Sequence, residues 1–233
     1  MTQGKISLVG VGPGDPELVT RKAERVLREA DVVYHPGRDD RSGFAIGIVR
    51  ELLPAATTVR AAAVEMAEPG DRYETLAAEL ASEASAGRRV AFITEGDPLV
   101  YSTASRLLAA IEFNWPAARV EIVSGVTSLT AVAAAARLSL VQADETLVVV
   151  PACHHPESLE RLIETHDRVA LVKVGSVFPL VVELLRRRGW LNRAVFVERA
   201  GTSNERIVRD LTRVDPATVS YFSMIVLAPT IRE

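Results

Sequence analysis

Up to about Gln142, short apolar runs alternate with stretches of helical periodicity. Ile6–Gly10, Asp31–Tyr34, Thr57–Arg60, Val90–Thr94 and Val120–Ser124 read as strands, each short, β-branched and close to a Gly, Pro or polar break. The runs are apolar nearly throughout, which predicts burial on both faces, as in a parallel sheet covered by helices. The stretches between them read as helices. Asp15 and Pro16 open the first, a capping acid followed by the residue suited to the first turn, and Leu18, Val19, Ala23, Val26, Leu27 and Ala30 form one stripe along it. Tyr73–Ala86 repeats the pattern, and Leu129–Leu138 is alanine-rich and so a strong helix former. Strand–helix alternation of this kind predicts an α/β layer fold.

Beyond Gln142 the rhythm changes. Thr146–Pro151, Val169–Val174 and Ala194–Glu198 read as strands, with helices over Pro156–Glu164 and Pro179–Arg188. Arg206–Leu211 and Tyr221–Leu227 then follow with little room for a helix, and such close spacing favours antiparallel pairing. The expectation is two α/β domains: 1–142 with a parallel five-stranded sheet, and 143–233 with a mixed sheet.

Composition narrows the partners rather than the fold. A net charge of −3 leaves no bulk basic excess, so neither nucleic acid nor a membrane surface is an expected partner. An anionic ligand would have to be met by locally gathered cations. The single cysteine, Cys153, allows no internal disulfide, which fits a reducing, cytoplasmic setting. Its neighbours His154 and His155 would point to opposite faces of a strand, and no metal is expected. The N-terminus lacks a leader pattern, and no apolar run is long enough to span a bilayer.

Three loops carry the candidate chemistry, and each leaves the carboxyl end of a predicted parallel strand, where α/β sheets bind ligands. The first is Gly10-Val11-Gly12-Pro13-Gly14-Asp15. Its position suits a dinucleotide-binding turn, but the spacing is G-x-G-x-G, and Pro13 removes an N–H that a pyrophosphate would use. The second predicted strand also ends in Tyr34-His35-Pro36-Gly37, with no acid for a ribose hydroxyl. The second loop is Glu95-Gly96-Asp97-Pro98-Leu99-Val100. There Gly96 permits close backbone approach and Asp97 offers an acceptor, although the same residues also suit a plain turn capping the next helix. The third is Ser124-Gly125-Val126-Thr127-Ser128, whose hydroxyls can cap the alanine-rich helix or meet a ligand.

Together these loops resemble the tetrapyrrole methylase family, which uses S-adenosylmethionine. The resemblance covers nearly the whole chain. VGVGPGDPELVTRKA is similar to the family's N-terminal signature and GDPLVYST to its central one, and LVKVGS, VERAGT with ERIVRDL, and YFSMIVLAP follow in family order. The resemblance implies the two-domain α/β fold of that family, with the cofactor in a cleft between the domains. It implies cofactor contacts from Pro13, Glu95, Gly96, Asp97, Val100, Thr127 and Ser128, and from Val174, Ala200 and Gly201 in the second domain. Family members often carry Met where Val174 stands. A homodimer is implied as well. The Tyr101-Ser102-Thr103 extension, the Val33-Tyr34-His35-Pro36 strand end and Tyr221-Phe222-Ser223 look like one branch of the family. That branch methylates precorrin-2 at carbon 20, giving precorrin-3A in cobalamin biosynthesis, and its counterpart acting on the cobalt-containing factor II is similar too.

Such a reaction needs alignment more than reactive side chains, and good alignment is worth roughly 7–11 kcal/mol. This accounts for the lack of a Ser-His-Asp set or nucleophilic cysteine. A base can assist loss of the proton from the methylated carbon. Tyr101, His35 and Asp97 are the candidates, with a surface turn as the plainer reading of His35. The substrate of this branch is a polycarboxylate, and Arg38, Arg41 and Arg106 are expected to face it. Arg186, Arg187 and Arg188 end a helix and complement its dipole. Three alternatives stand beside this reading: a methylase acting on diphthamide or ribosomal RNA, a nicotinamide-dependent oxidoreductase, and a non-catalytic nucleotide sensor.

Overall fold

Five strands build the first sheet: β1 (Lys5–Gly10), β2 (Val32–Pro36) and β4 (Arg89–Thr94), buried nearly throughout, and the half-buried edge strands β3 (Thr58–Ala62) and β5 (Val120–Val123). All pair in parallel, in the order β3-β2-β4-β1-β5. The computed structural model describes residues 4–64, 70–151 and 155–228. It divides into two compact units, Met1–Ser128 and Leu129–Glu233.

In the first unit the helices are α1 (Arg21–Glu29), α2 (Phe44–Val49), α3 (Gly70–Ser85) and α4 (Thr103–Asn114). Strict alternation of side chains sorts the sheet into two apolar faces. Ile6, Leu8, Val32, Tyr34 and Phe92 meet Leu76, Ala77 and Leu80 of α3 and Leu107 and Ile111 of α4. Val9, Val33 and Ile93 meet Val26 and Leu27 of α1 and Ile46 and Val49 of α2. Tyr34 is a core residue. Its hydroxyl accepts a hydrogen bond from Arg60 at 2.9 Å, and burial raises the phenol's pKa.

The predicted first helix is two pieces. Asp15 caps only a single 3-10 turn, Pro16–Leu18, accepting the Glu17 N–H at 2.8 Å. The chain then extends through Val19 and Thr20, and the Thr20 hydroxyl captures the Ala23 N–H at 3.2 Å to start α1 afresh.

The second unit has helices α5 (Ser128–Ala136), α6 (Pro156–Thr165) and α7 (Phe178–Arg187), the first starting at the division itself. Its strands are β6 (Leu147–Pro151), β7 (Arg168–Val172), β8 (Ala194–Glu198), β9 (Arg206–Val208) and β10 (Ser223–Leu227). The sheet order is β6-β7-β10-β8-β9, with β6 and β7 parallel and every other pairing antiparallel, so it is mixed as the strand spacing suggested. Leu159 and Ile163 of α6 and Val181, Leu184 and Leu185 of α7 cover one face, where Phe178 meets Phe196 edge-on at 5.2 Å.

The boundary expected near Gln142 falls instead between Ser128 and Leu129. The reason lies in α5. Its small residues Ala131, Val132 and Ala136 pack on Ala170, Val172, Val195, Val197 and Val226 of the second sheet. Cys153 and His154 lie outside the described residues. No helix among the described residues is long and apolar enough to cross a membrane.

Glu121 on β5 binds both Lys5 and Lys22. Hydrogen bonds from the two ammonium groups lower its pKa from the usual 4.5 to about 2. A depressed carboxylate pKa contributes stability above the unfolded value, and that contribution is lost as pH falls toward the folded one. Wild-type stability in urea should therefore drop between pH 4.5 and about 2 more steeply than that of Glu121→Gln. Parallel curves for the two proteins would contradict this assignment.

Candidate functional site

The order β4-β1-β5 sets the loops that follow these three strands side by side. Their backbones touch through glycines. A Cβ on Gly125 would lie 2.1 Å from the Gly96 carbonyl oxygen, and one on Gly10 would lie 2.5 Å from the same oxygen. No side chain fits either position without displacing backbone. Gly96 donates its N–H to Gly12 O at 2.7 Å, closing an antiparallel bridge between the first and second loops. Both glycines have left-handed backbone, with φ of +81° at Gly12 and +65° at Gly96.

Asp97 ties the second loop to the third. One carboxylate oxygen accepts the Leu99 N–H at 2.9 Å and the other the Gly125 N–H at 3.1 Å. Ser102 completes the brace: its hydroxyl accepts the Ala104 N–H at the start of α4 and meets the Thr94 hydroxyl at 2.9 Å. The three loops therefore form one platform. Gly96 is buried, yet there is room beside it for a methyl group: a Cβ would meet only the Ser128 N, at an ordinary contact distance of 3.8 Å.

The sequence-predicted residues distribute over both units. Pro13 is buried, Glu95 and Thr127 are half-buried, and Val100 and Ser128 are exposed, all on the platform loops. In the second unit Val174 follows β7 and Ala200 and Gly201 follow β8, strands that flank β10, so all three occupy one edge of that sheet. The side chain of Val174 is fully buried in the core, which leaves only its main chain for a ligand.

One expectation changes. His35 is no surface turn residue. Its side chain is fully buried, with Nδ1 3.0 Å from the Pro36 carbonyl and the ring walled by Gly37 and Gly43. A Pro-Gly sequence after a histidine signals a turn, but here the glycines supply the room for the imidazole beneath it. Arg106 stands in the first turn of α4, just after the second loop, and its guanidinium lies 5.8 Å from the Tyr73 ring centre of α3. Arg38 and Arg41 do lie in the exposed loop after β2. That loop is ordered by Asp39, which accepts the Arg41 N–H at 2.8 Å, and by Arg50, which donates to Arg41 O. Tyr101 is exposed and has left-handed backbone at φ +49°. The Asp97 bond to Gly125 had no local sequence signal, because it joins residues 28 positions apart.

A model of the Tetrapyrrole (Corrin/Porphyrin) Methylases matches residues 5–214. The chain belongs to the tetrapyrrole methylase family. It is 36% identical over 232 residues to a Salmonella typhimurium protein named cobalt-precorrin-2 C(20)-methyltransferase, covering 96% of each chain. It is 32% identical over 236 residues to a Sinorhizobium precorrin-2 C(20)-methyltransferase, covering 96% of this chain and 95% of that one. Among solved structures, uroporphyrin-III C-methyltransferase from Thermus thermophilus complexed with S-adenyl homocysteine matches with a TM-score of 0.69. That match is 28% identical and covers 97% of this chain and 98% of the other. The protein is thus a methyltransferase, and the oxidoreductase and sensor alternatives fall away.

Two substitutions test the platform. Asp97→Ala removes the acceptor of two main-chain N–H groups and should cost on the order of 1–3 kcal/mol in urea denaturation. Gly125→Ala forces a methyl group against the Gly96 carbonyl and should cost a similar amount, about 1–3 kcal/mol. Wild-type stability in both would show that the loops are not braced in this way.

Proposed function

We propose that the protein transfers a methyl group from S-adenosylmethionine to carbon 20 of precorrin-2, giving precorrin-3A in cobalamin biosynthesis. Full-length similarity to two enzymes, both named for C(20) methylation of a precorrin-2, carries this reading. A cobalt-containing substrate is the second reading, favoured by the name of the Salmonella relative. The working form in this account is a cytoplasmic homodimer, a reading that rests on the family resemblance.

The platform fits the cofactor. A Cβ on Gly96 would occupy the space in front of the Ser128 N, 3.8 Å away, and that space is the cradle for the cofactor. Pro13, Glu95, Gly96, Asp97, Val100, Thr127 and Ser128 would hold S-adenosylmethionine on the platform, and Val174, Ala200 and Gly201 are the further contacts that the family resemblance implies. When bound, S-adenosylmethionine supplies an already activated methyl group, which an electron-rich ring carbon can take. The chain's contribution is alignment by a backbone that is rigid before the ligand arrives. Asp97 acts by holding Gly125 and Leu99 in place, since both of its oxygens are engaged there. His35 is too deeply buried to meet substrate, whereas Tyr101 is exposed on the platform. Tyr101 is therefore the residue that relays the proton leaving the methylated carbon, its oxygen taking that proton as its own hydroxyl proton passes to solvent water. Arg38 and Arg41 meet substrate carboxylates, and Arg106 supports them from α4.

The deciding experiment offers labelled S-adenosylmethionine with metal-free precorrin-2 and with cobalt-factor II, separately and without oxygen. Transfer of label to one of them is expected, and the preferred one assigns the metallation state. Binding of cofactor with no transfer to either macrocycle would overturn the substrate assignment. Tyr101→Phe should lower kcat about 100-fold or more if the hydroxyl handles that proton. An unchanged kcat would pass that role to solvent.

A further inference from the structure

The edge of the second sheet that carries Val174 and Ala200 also presents two cations in an unusual backbone conformation. Lys173 follows β7 directly with φ +59°, and Arg199 follows β8 directly with φ +52°. Left-handed backbone is uncommon for such residues and concentrates at functional sites. Both are locked to the start of β10. Lys173 donates its N–H to Ser223 O at 2.9 Å, and Arg199 donates to Phe222 O at 2.8 Å. One cation thus stands on each side of β10, two strand spacings or about 9–10 Å apart at the backbone. Between them Tyr221 is half exposed, with the Lys173 ammonium 5.1 Å from its ring centre.

Two acids near Arg199 are engaged with other groups. Glu198 is buried, accepts the Ser220 N–H and pairs with Arg206 at 2.9 Å. Glu205 accepts the Gly201 N–H at 2.8 Å. Arg199 is half-buried and has no acidic partner among the described residues. A partly desolvated guanidinium, an ammonium and an exposed aromatic ring along one edge suit a flat π-system with anionic groups on its rim.

We propose that Lys173 and Arg199, with Tyr221 between them, bind two rim carboxylates of the tetrapyrrole and so select for the acidic macrocycle. The inference rests on the tetrapyrrole-methylation reading above and adds substrate-binding residues to it. It divides labour along this edge: main chain at Val174, Ala200 and Gly201 for the cofactor, side chains at Lys173 and Arg199 for the substrate.

Lys173→Gln and Arg199→Gln test it, with Arg199→Lys as the charge-conserving control. Three quantities are read: KM and kcat for the methylated macrocycle, quenching of uroporphyrin III fluorescence as a stable polycarboxylate probe, and the Kd of S-adenosylhomocysteine. Each glutamine variant should raise KM and the uroporphyrin Kd about tenfold, the loss expected for one charge-assisted hydrogen bond. The S-adenosylhomocysteine Kd should stay within about twofold, kcat should fall less than KM rises, and Arg199→Lys should recover most of the loss. If a glutamine variant fails to fold, Lys173→Met and Arg199→Met, which keep the apolar stem, carry the same prediction. Unchanged KM and uroporphyrin affinity in folded variants would overturn the proposal. Lost S-adenosylhomocysteine binding with unchanged uroporphyrin affinity would overturn it as well, by assigning the two cations to the cofactor. A wild-type protein that methylates no tetrapyrrole would instead sink the functional reading on which the proposal stands.

Discussion

The Gly96 carbonyl oxygen is the point on which the first unit's working edge depends. Gly10 and Gly125 approach it so closely that a Cβ on either would collide with it. Three strand ends converge there because β1 sits between β4 and β5, so the loops that follow them are neighbours by topology. Glycine at each contact lets main chain meet main chain, and the bond from Gly125 to Asp97 fixes the arrangement. Close packing makes such a junction stiff, since a shift of one loop has to move the others.

Stiffness is what methyl transfer from an activated donor asks of a protein. No residue has to attack, and no charge relay has to form. The donor and the acceptor carbon have to be held in line, which is the most that prior alignment can contribute. Several polar side chains of the first unit are accordingly spent on structure. Asp97 and Ser102 brace loops, Tyr34 and His35 fill the core, and Arg106 stacks on Tyr73.

Much of this architecture could be read from the chain. The near-continuous apolar runs located the strands of a buried parallel sheet, because burial on both faces removes polar alternation. The close spacing of the last strands foretold antiparallel pairing. What escaped was set by contacts distant in sequence or by single backbone torsions. The alanine-rich helix reads as a continuation of the third loop, yet its small residues fit the second sheet and carry the boundary to Ser128. Lys173 cuts β7 short by turning left-handed inside a run whose apolar residues resume at Val174, and a lysine carries no sequence signal for that turn. The Thr20 hydroxyl split a helix whose apolar stripe was otherwise continuous.

The central claim is that the methyl donor lies against Gly96, in the space before the Ser128 N. Gly96→Ala probes it directly, since the added methyl would meet nothing closer than the Ser128 N at 3.8 Å and would fill the proposed cradle. The left-handed backbone adds a modest strain of about 1–2 kcal/mol. Calorimetric titration with S-adenosylhomocysteine should find a folded protein whose affinity is weakened at least about tenfold, equivalent to about 1.4 kcal/mol. An affinity equal to wild type in the folded variant would contradict the account and move the cofactor elsewhere.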